Sequence, residues 1–204
     1  YVDLVALEKQ RAEKFVDPVE IERAVNTALV SLDLPCAGAY TRKGIGIVRS
    51  WREALDRIFR SKKVEVNQLD QTLLDLLMLL HGNPGGPALN ILINCPYTDC
   101  GEEDIPVPKR GAKCGKCGGQ LYPTDILRIH EEVVEEGTNE SALSRLMSVV
   151  ELLVLVGLTT LLWEQSRADL LRSTLFIVDG PLAMYGPPAK LRFRAEKYFQ
   201  AMAA

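Results

Sequence analysis

The strongest pattern in the chain is an apolar run from Leu146 to Trp163, LMSVVELLVLVGLTTLLW, in which Glu151 is the only charge. It predicts a long helix over 140–164, capped by Gly137-Thr138-Asn139. Leu143, Met147, Val150, Val154 and Leu158 form one stripe, and Val149, Leu152, Val156 and Leu162 cover the rest. A helix apolar on nearly every side is a buried one, so Glu151 is expected to face protein. Apolar positions at Leu69, Leu73, Leu76, Leu77 and Leu80 predict a helix over 67–81, ended by His81-Gly82-Asn83-Pro84-Gly85-Gly86-Pro87. Asp17-Pro18 opens another over 18–30, a capping residue followed by proline in the first turn. Further helices are expected over 48–60, 167–171 and 188–202. Three runs read as strands: 88–94 (ALNILIN), 120–129 (QLYPTDILRI) and 174–178, which stops at Asp179-Gly180-Pro181. The order predicts an α/β fold: a mixed sheet with flanking helices, a helical insertion over about 18–82, and an inserted metal ribbon over about 95–120. The long helix should pack across the sheet, because a single contact face could not bury it.

Length and composition narrow the classes. The chain has 204 residues, 47% hydrophobic and 25% charged, enough for one domain with insertions. A net charge of −3 leaves no global basic character, so any nucleic-acid site must be a local patch. Residues 146–163 are short for a membrane span and carry Ser148, Glu151, Thr159 and Thr160 without a polybasic flank, so a core helix is expected there. The start, YVDLVALEKQRAEK, lacks a signal peptide's basic region and cleavage site. Tyr1 is not an initiator, and the chain is expected to be a piece of a longer protein. Five cysteines do not make a secreted disulfide scaffold, and a reducing cytoplasm fits them best. Cys36, standing alone, reads as a small buried or half-buried residue, with a catalytic thiol as the alternative.

The other four cysteines are paired by spacing. Cys95-x4-Cys100 and Cys114-x2-Cys117 flank thirteen residues, and the second pair sits in Cys114-Gly115-Lys116-Cys117-Gly118-Gly119. Two short-spaced thiolate pairs suit tetrahedral zinc, and glycines after the pair let backbone amides turn toward sulfur. Four sulfur ligands leave no open position, so the zinc is expected to be structural. Lys109, Arg110, Lys113 and Lys116 decorate this ribbon. They read either as DNA or partner contacts or as a solvated surface.

Two carboxylates carry the candidate chemistry. Glu151 lies within the apolar helix. Asp179 lies at a strand end before Gly-Pro, where sheets open to solvent. A helix-borne Glu and a strand-borne Asp that converge within about 5 Å would hold Mg²⁺ or Mn²⁺ for water activation, as in ribonuclease-H-like nucleases. The plainer readings are Glu151 paired with Arg145 or Arg128 and Asp179 as a turn residue. Glu164, near the helix end, is the rival to Glu151. His130, beside Glu131 and Glu132, reads as an acid or phosphate contact, or as a hydrogen-bonded structural residue.

Three segments resemble the bacterial NurA nuclease family: Tyr122–Glu131 (YPTDILRIHE), Arg145–Leu153 (RLMSVVELL) and Phe176–Ala189 (FIVDGPLAMYGPPA). Phe15-Val16-Asp17-Pro18 and Ser50–Leu55 (SWREAL) resemble it more loosely. The resemblance implies a ribonuclease-H-like fold, a homodimer, and manganese-dependent cutting of DNA ends beside a hexameric HerA-like ATPase, in repair or phage defence. It carries the catalytic metal ligands to Glu151 and Asp179. The family's first catalytic Asp, in an Asp-Gly-Ser element, has no match in the chain and is expected upstream of Tyr1. Asp3 and Asp33 lack its context. The family's C-terminal half is likewise expected beyond Ala204. The competing readings are a non-catalytic zinc-ribbon scaffold that docks an ATPase or DNA, and an unrelated zinc-ribbon subunit with a dimerising helix.

Overall fold

The computed structural model describes residues 44–66, 69–81, 90–137, 139–166, 168–176 and 188–203. The expected helix over 18–30, Cys36, Asp3, Asp33 and Asp179 lie outside the described residues.

The first described helix, α1 (Ile47–Ser61), buries Ile47, Trp51, Leu55, Ile58 and Phe59, a three-and-four spacing that places them on one face. Its N-cap, Gly46, offers no side chain, and the Ile47 N–H donates instead to Glu135 Oε1 at 3.4 Å. A hairpin follows. β1 (Lys63–Val66) pairs antiparallel with β2 (Leu69–Thr72), Val66 opposite Leu69. The helix expected over 67–81 therefore begins later, as α2 (Leu73–His81). Thr72 sets that boundary. Its Oγ1 accepts the Asp75 N–H at 3.1 Å, and Asp75 Oδ2 accepts the Thr72 N–H at 3.2 Å. This reciprocal cap, written in the sequence as Thr-x-x-Asp, stops the strand and starts the helix.

The ribbon comes next. β3 (Asn90–Ile93) pairs antiparallel with β4 (Ile105–Pro108), and β5 (Ala112–Lys113) with β6 (Gln120–Leu121). The expected strand over 120–129 is cut short after Leu121. Pro123 has no N–H to give a ladder. The carboxylate of Asp125 accepts the Tyr122 N–H at 2.8 Å and draws the chain into a 3₁₀ turn, Pro123–Leu127. Arg128, at φ 52°, reverses it into a second, Ile129–Glu132. The described strands thus form three two-stranded antiparallel sheets rather than one mixed sheet. Thr174–Phe176 is not a strand, and the rest of that expected strand lies outside the described residues.

The long helix, α3 (Glu140–Glu164), lies where expected. It packs on the β1–β2 hairpin, α2 and the second 3₁₀ turn instead of crossing the expected sheet. Gly157 marks the crossing: a Cβ there would lie 2.9 Å from Leu76 Cδ1 and 3.1 Å from Val64 Cβ. Leu146, Val149, Leu153, Val156 and Leu161 fill the core. By length and composition α3 could cross a membrane, but 61% of its most apolar window is buried inside the fold. Its remaining face is open, with Leu143, Met147 and Glu151 exposed. Glu151 therefore faces solvent and not protein, because the core covers only part of the helix. α4 (Ala168–Ser173) and α5 (Ala189–Ala203) complete the described residues. Leu191 and Ala195 of α5 are buried, and Tyr198 Oη meets Thr160 Oγ1 at 3.0 Å.

Candidate metal centre

Cys95 and Cys100 lie just beyond β3, and Cys114 and Cys117 lie between β5 and β6. The two antiparallel pairs bring the four sulfurs within 4.8 Å of one another. The Sγ–Sγ separations of Cys95–Cys117 and Cys100–Cys114 are both 3.6 Å. A tetrahedron with metal–sulfur bonds of about 2.3 Å has edges of about 3.8 Å, so the four atoms fit a metal ion such as zinc.

Backbone hydrogen bonds build both knuckles. The Cys100 N–H donates to Tyr97 O at 3.0 Å and the Cys95 N–H to Glu102 O at 2.8 Å. The Gly118 N–H donates to Cys114 O at 2.9 Å, the Cys114 N–H to Gly119 O at 2.9 Å, and the Gly119 N–H to Cys117 Sγ at 3.4 Å. Gly118, at φ +71°, takes the left-handed turn. Gly119 is required for another reason, since a Cβ would lie 2.2 Å from the Tyr97 ring. Cys100 and Cys114 are buried with Ile93, Val107 and Leu121, and Cys117 is exposed.

Electrostatics divides the sulfurs. Backbone N–H groups of Cys117, against a burial penalty, and then of Lys116 pull the Cys114 thiol down to about 7. Burial pushes Cys95 up to about 12, with the neighbouring sulfurs adding to it. Four thiolates at this spacing repel one another unless a cation sits among them.

Two arginines fasten the ribbon to α1. Arg52 donates from Nε and Nη2 to both oxygens of Asp125 at 2.8 Å, and from Nη2 to Gln120 O at 2.7 Å. The guanidinium lies over the rings of Tyr97, at 5.0 Å, and Tyr122, at 5.5 Å. Burial works against the Arg52 charge, but the hydrogen bonds and charge of Asp125 outweigh it and raise its pKa. Arg52 and Asp125 are only 4% and 2% exposed, so this is a buried ion pair. Two turns later Arg60 donates to Lys109 O at 2.6 Å and to Asp56 Oδ2 at 2.7 Å. Periodicity marks Arg52 only as a polar residue on an apolar helix. Its signal in the sequence was the pair SWREAL and YPTD, quoted above for the resemblance, whose Arg and Asp meet here.

The remaining expected site residues are dispersed. Lys109 pairs with Asp75. Arg110, Lys113 and Lys116 are exposed, with no ion pair among the described residues. Arg145 pairs with Glu132 at 2.9 Å and Arg128 with Glu131 at 2.6 Å, so neither neutralises Glu151. Glu164, the last residue of α3, is exposed. His130 is buried, and burial lowers its pKa first, with Arg52 and Arg128 adding to the effect against Asp125 and Glu131. Comparison of the chain with protein-family models, with curated proteins and with solved structures returns no match.

Proposed function

We propose that the chain is the zinc-stapled part of a metal-dependent DNA nuclease of the NurA type, acting as a homodimer with a hexameric HerA-like ATPase. The observation that carries this reading is the state of Glu151. Its carboxylate is exposed and has no cation partner among the described residues, while Arg145 and Arg128 are committed to other carboxylates. A carboxylate left free is one that can take Mn²⁺ or Mg²⁺. The resemblance adds Asp179 as its companion, and the two would activate water and stabilise the leaving oxygen. The zinc on Cys95, Cys100, Cys114 and Cys117 is structural, since its four ligands leave no position for a substrate. Glu151→Gln and Asp179→Asn should each abolish Mn²⁺-dependent cleavage of linear DNA. Full activity in both variants would end the nuclease reading.

A second reading is a non-catalytic zinc-ribbon adaptor that docks DNA or the ATPase. It is favoured by three exposed cations on the ribbon, Arg110, Lys113 and Lys116, that form no ion pair among the described residues. Removing all three should weaken DNA binding and flatten its dependence on salt. Binding that is unchanged leaves these residues as a solvated surface.

A further inference from the structure

A cleft of about 510 Å³ lies where β3, the two 3₁₀ turns, the end of α2 and the start of α5 meet. Both histidines of the chain, His81 and His130, line it. Its lining carries three carboxylates, Asp104, Asp125 and Glu131, and two cations, Arg128 and Lys190. Asp125 and Glu131 line it but are held by Arg52 and Arg128. Lys190 also lines it and has no carboxylate partner among the described residues. Arg194, one turn along α5, spends Nη1 on the carbonyls of Leu80 at 3.2 Å and His81 at 3.4 Å. It too has no carboxylate partner among the described residues. His81 Nε2 is buried and makes no hydrogen bond.

We propose that this cleft binds a phosphate group, held where His81 and Lys190 line it and Arg194 reaches the His81 carbonyl. Two cations with no carboxylate partner among the described residues, beside an imidazole nitrogen with no hydrogen bond, are what a phosphate oxygen satisfies. The condition of His81 agrees: burial, then Arg194, then Lys190 lower its pKa to about 4, so both cations reach it with their field. Asp104 lines the same cleft without a cation partner among the described residues. It repels a second negative charge and accepts hydrogen bonds from hydroxyls, so a phosphate monoester suits the cleft better than a polyphosphate. The volume falls in the range of about 300–1,000 Å³ usual for small-ligand sites.

The test needs neither DNA nor cleavage, so its failure is separable from failure of the nuclease reading. The His81 ring signal is followed by NMR during titration with inorganic phosphate and then adenosine monophosphate, with ionic strength held by chloride. Saturable movement of the His81 signal is expected, with tighter binding of the monophosphate and a rise in the His81 pKa when phosphate is bound. Lys190→Ala, at an exposed position, should weaken both at least tenfold and leave the fold unchanged. His81→Gln should weaken binding less. A His81 signal that does not move, or binding indifferent to Lys190→Ala and matched by sulfate, is an adventitious ion only and overturns the proposal.

Discussion

The ribbon and the long helix are both strong sequence signals, yet they differ in what surrounds them. In the ribbon, residues 95–121, the chemistry is local: each cysteine meets its knuckle partner within a few residues, and backbone N–H groups of the same turns aim at sulfur. A further pair of antiparallel ladders joins the knuckles, and the metal geometry follows. The α3 helix is the opposite case. Its length and ends are local properties, but which face is wet depends on where α2, the β1–β2 hairpin and α5 lie. Apolarity around nearly the whole helix implied complete burial. The structure instead leaves Leu143, Met147 and Glu151 open. A motif whose ligands hold each other can be read from spacing; the surroundings of a single charge cannot.

The largest effect that would test this contrast is removal of a ligand from the ribbon. Cys114→Ser should lower bound zinc from one ion per chain to none and unfold the 95–121 segment, while α3 keeps its helical signal. Structural zinc in small domains contributes about 10–16 kcal/mol of binding free energy, which the short ladders β3–β4 and β5–β6 cannot replace. Metal analysis and amide exchange read this together. Wild-type protein purified without zinc, yet protected in this segment, would reverse the argument.

Next in size is the fastening of the ribbon to α1. Arg52→Ala leaves Asp125 buried without its cation and should cost about 3–5 kcal/mol, seen as a lower denaturation midpoint. Replacing Arg52 and Asp125 together by apolar residues should cost less than Arg52→Ala alone, which a double-mutant cycle measures. Equal costs would mean that the pair is not coupled.

On the helix side, Gly157→Ala puts a methyl group against Leu76 and Val64 where α3 crosses them. Overpacking of this kind costs about 1–3 kcal/mol, against a gain in helix propensity of up to about 1 kcal/mol. A net loss of stability is therefore expected, and a net gain would show that the crossing is looser than drawn. The smallest effect belongs to Glu151. At an exposed position without an ion pair, Glu151→Gln should change stability by less than about 0.5 kcal/mol. A loss of several kcal/mol would place Glu151 back in a buried pair.

The amino-acid sequence by itself determined the elements whose causes are local. The span of α3 follows from its apolar run; the expected cap does not form, because Asn139 makes no side-chain bond to the helix and its Oδ1 accepts the Val134 N–H at 2.8 Å instead. The metal ligands follow from two short-spaced cysteine pairs, and α1 from its apolar face. Local signals also set two boundaries that periodicity alone misplaces: Thr72-x-x-Asp75 caps α2 and ends β2, and Pro123 with Asp125 turns an expected strand into 3₁₀ turns. Only the tertiary structure decided which strands pair, which face of α3 meets the core, and that Arg52, 73 residues from Asp125 in sequence, closes a buried ion pair with it. Those outcomes depend on contacts between distant segments. The free energy of burying one surface rather than another belongs to both partners and is written in neither segment alone.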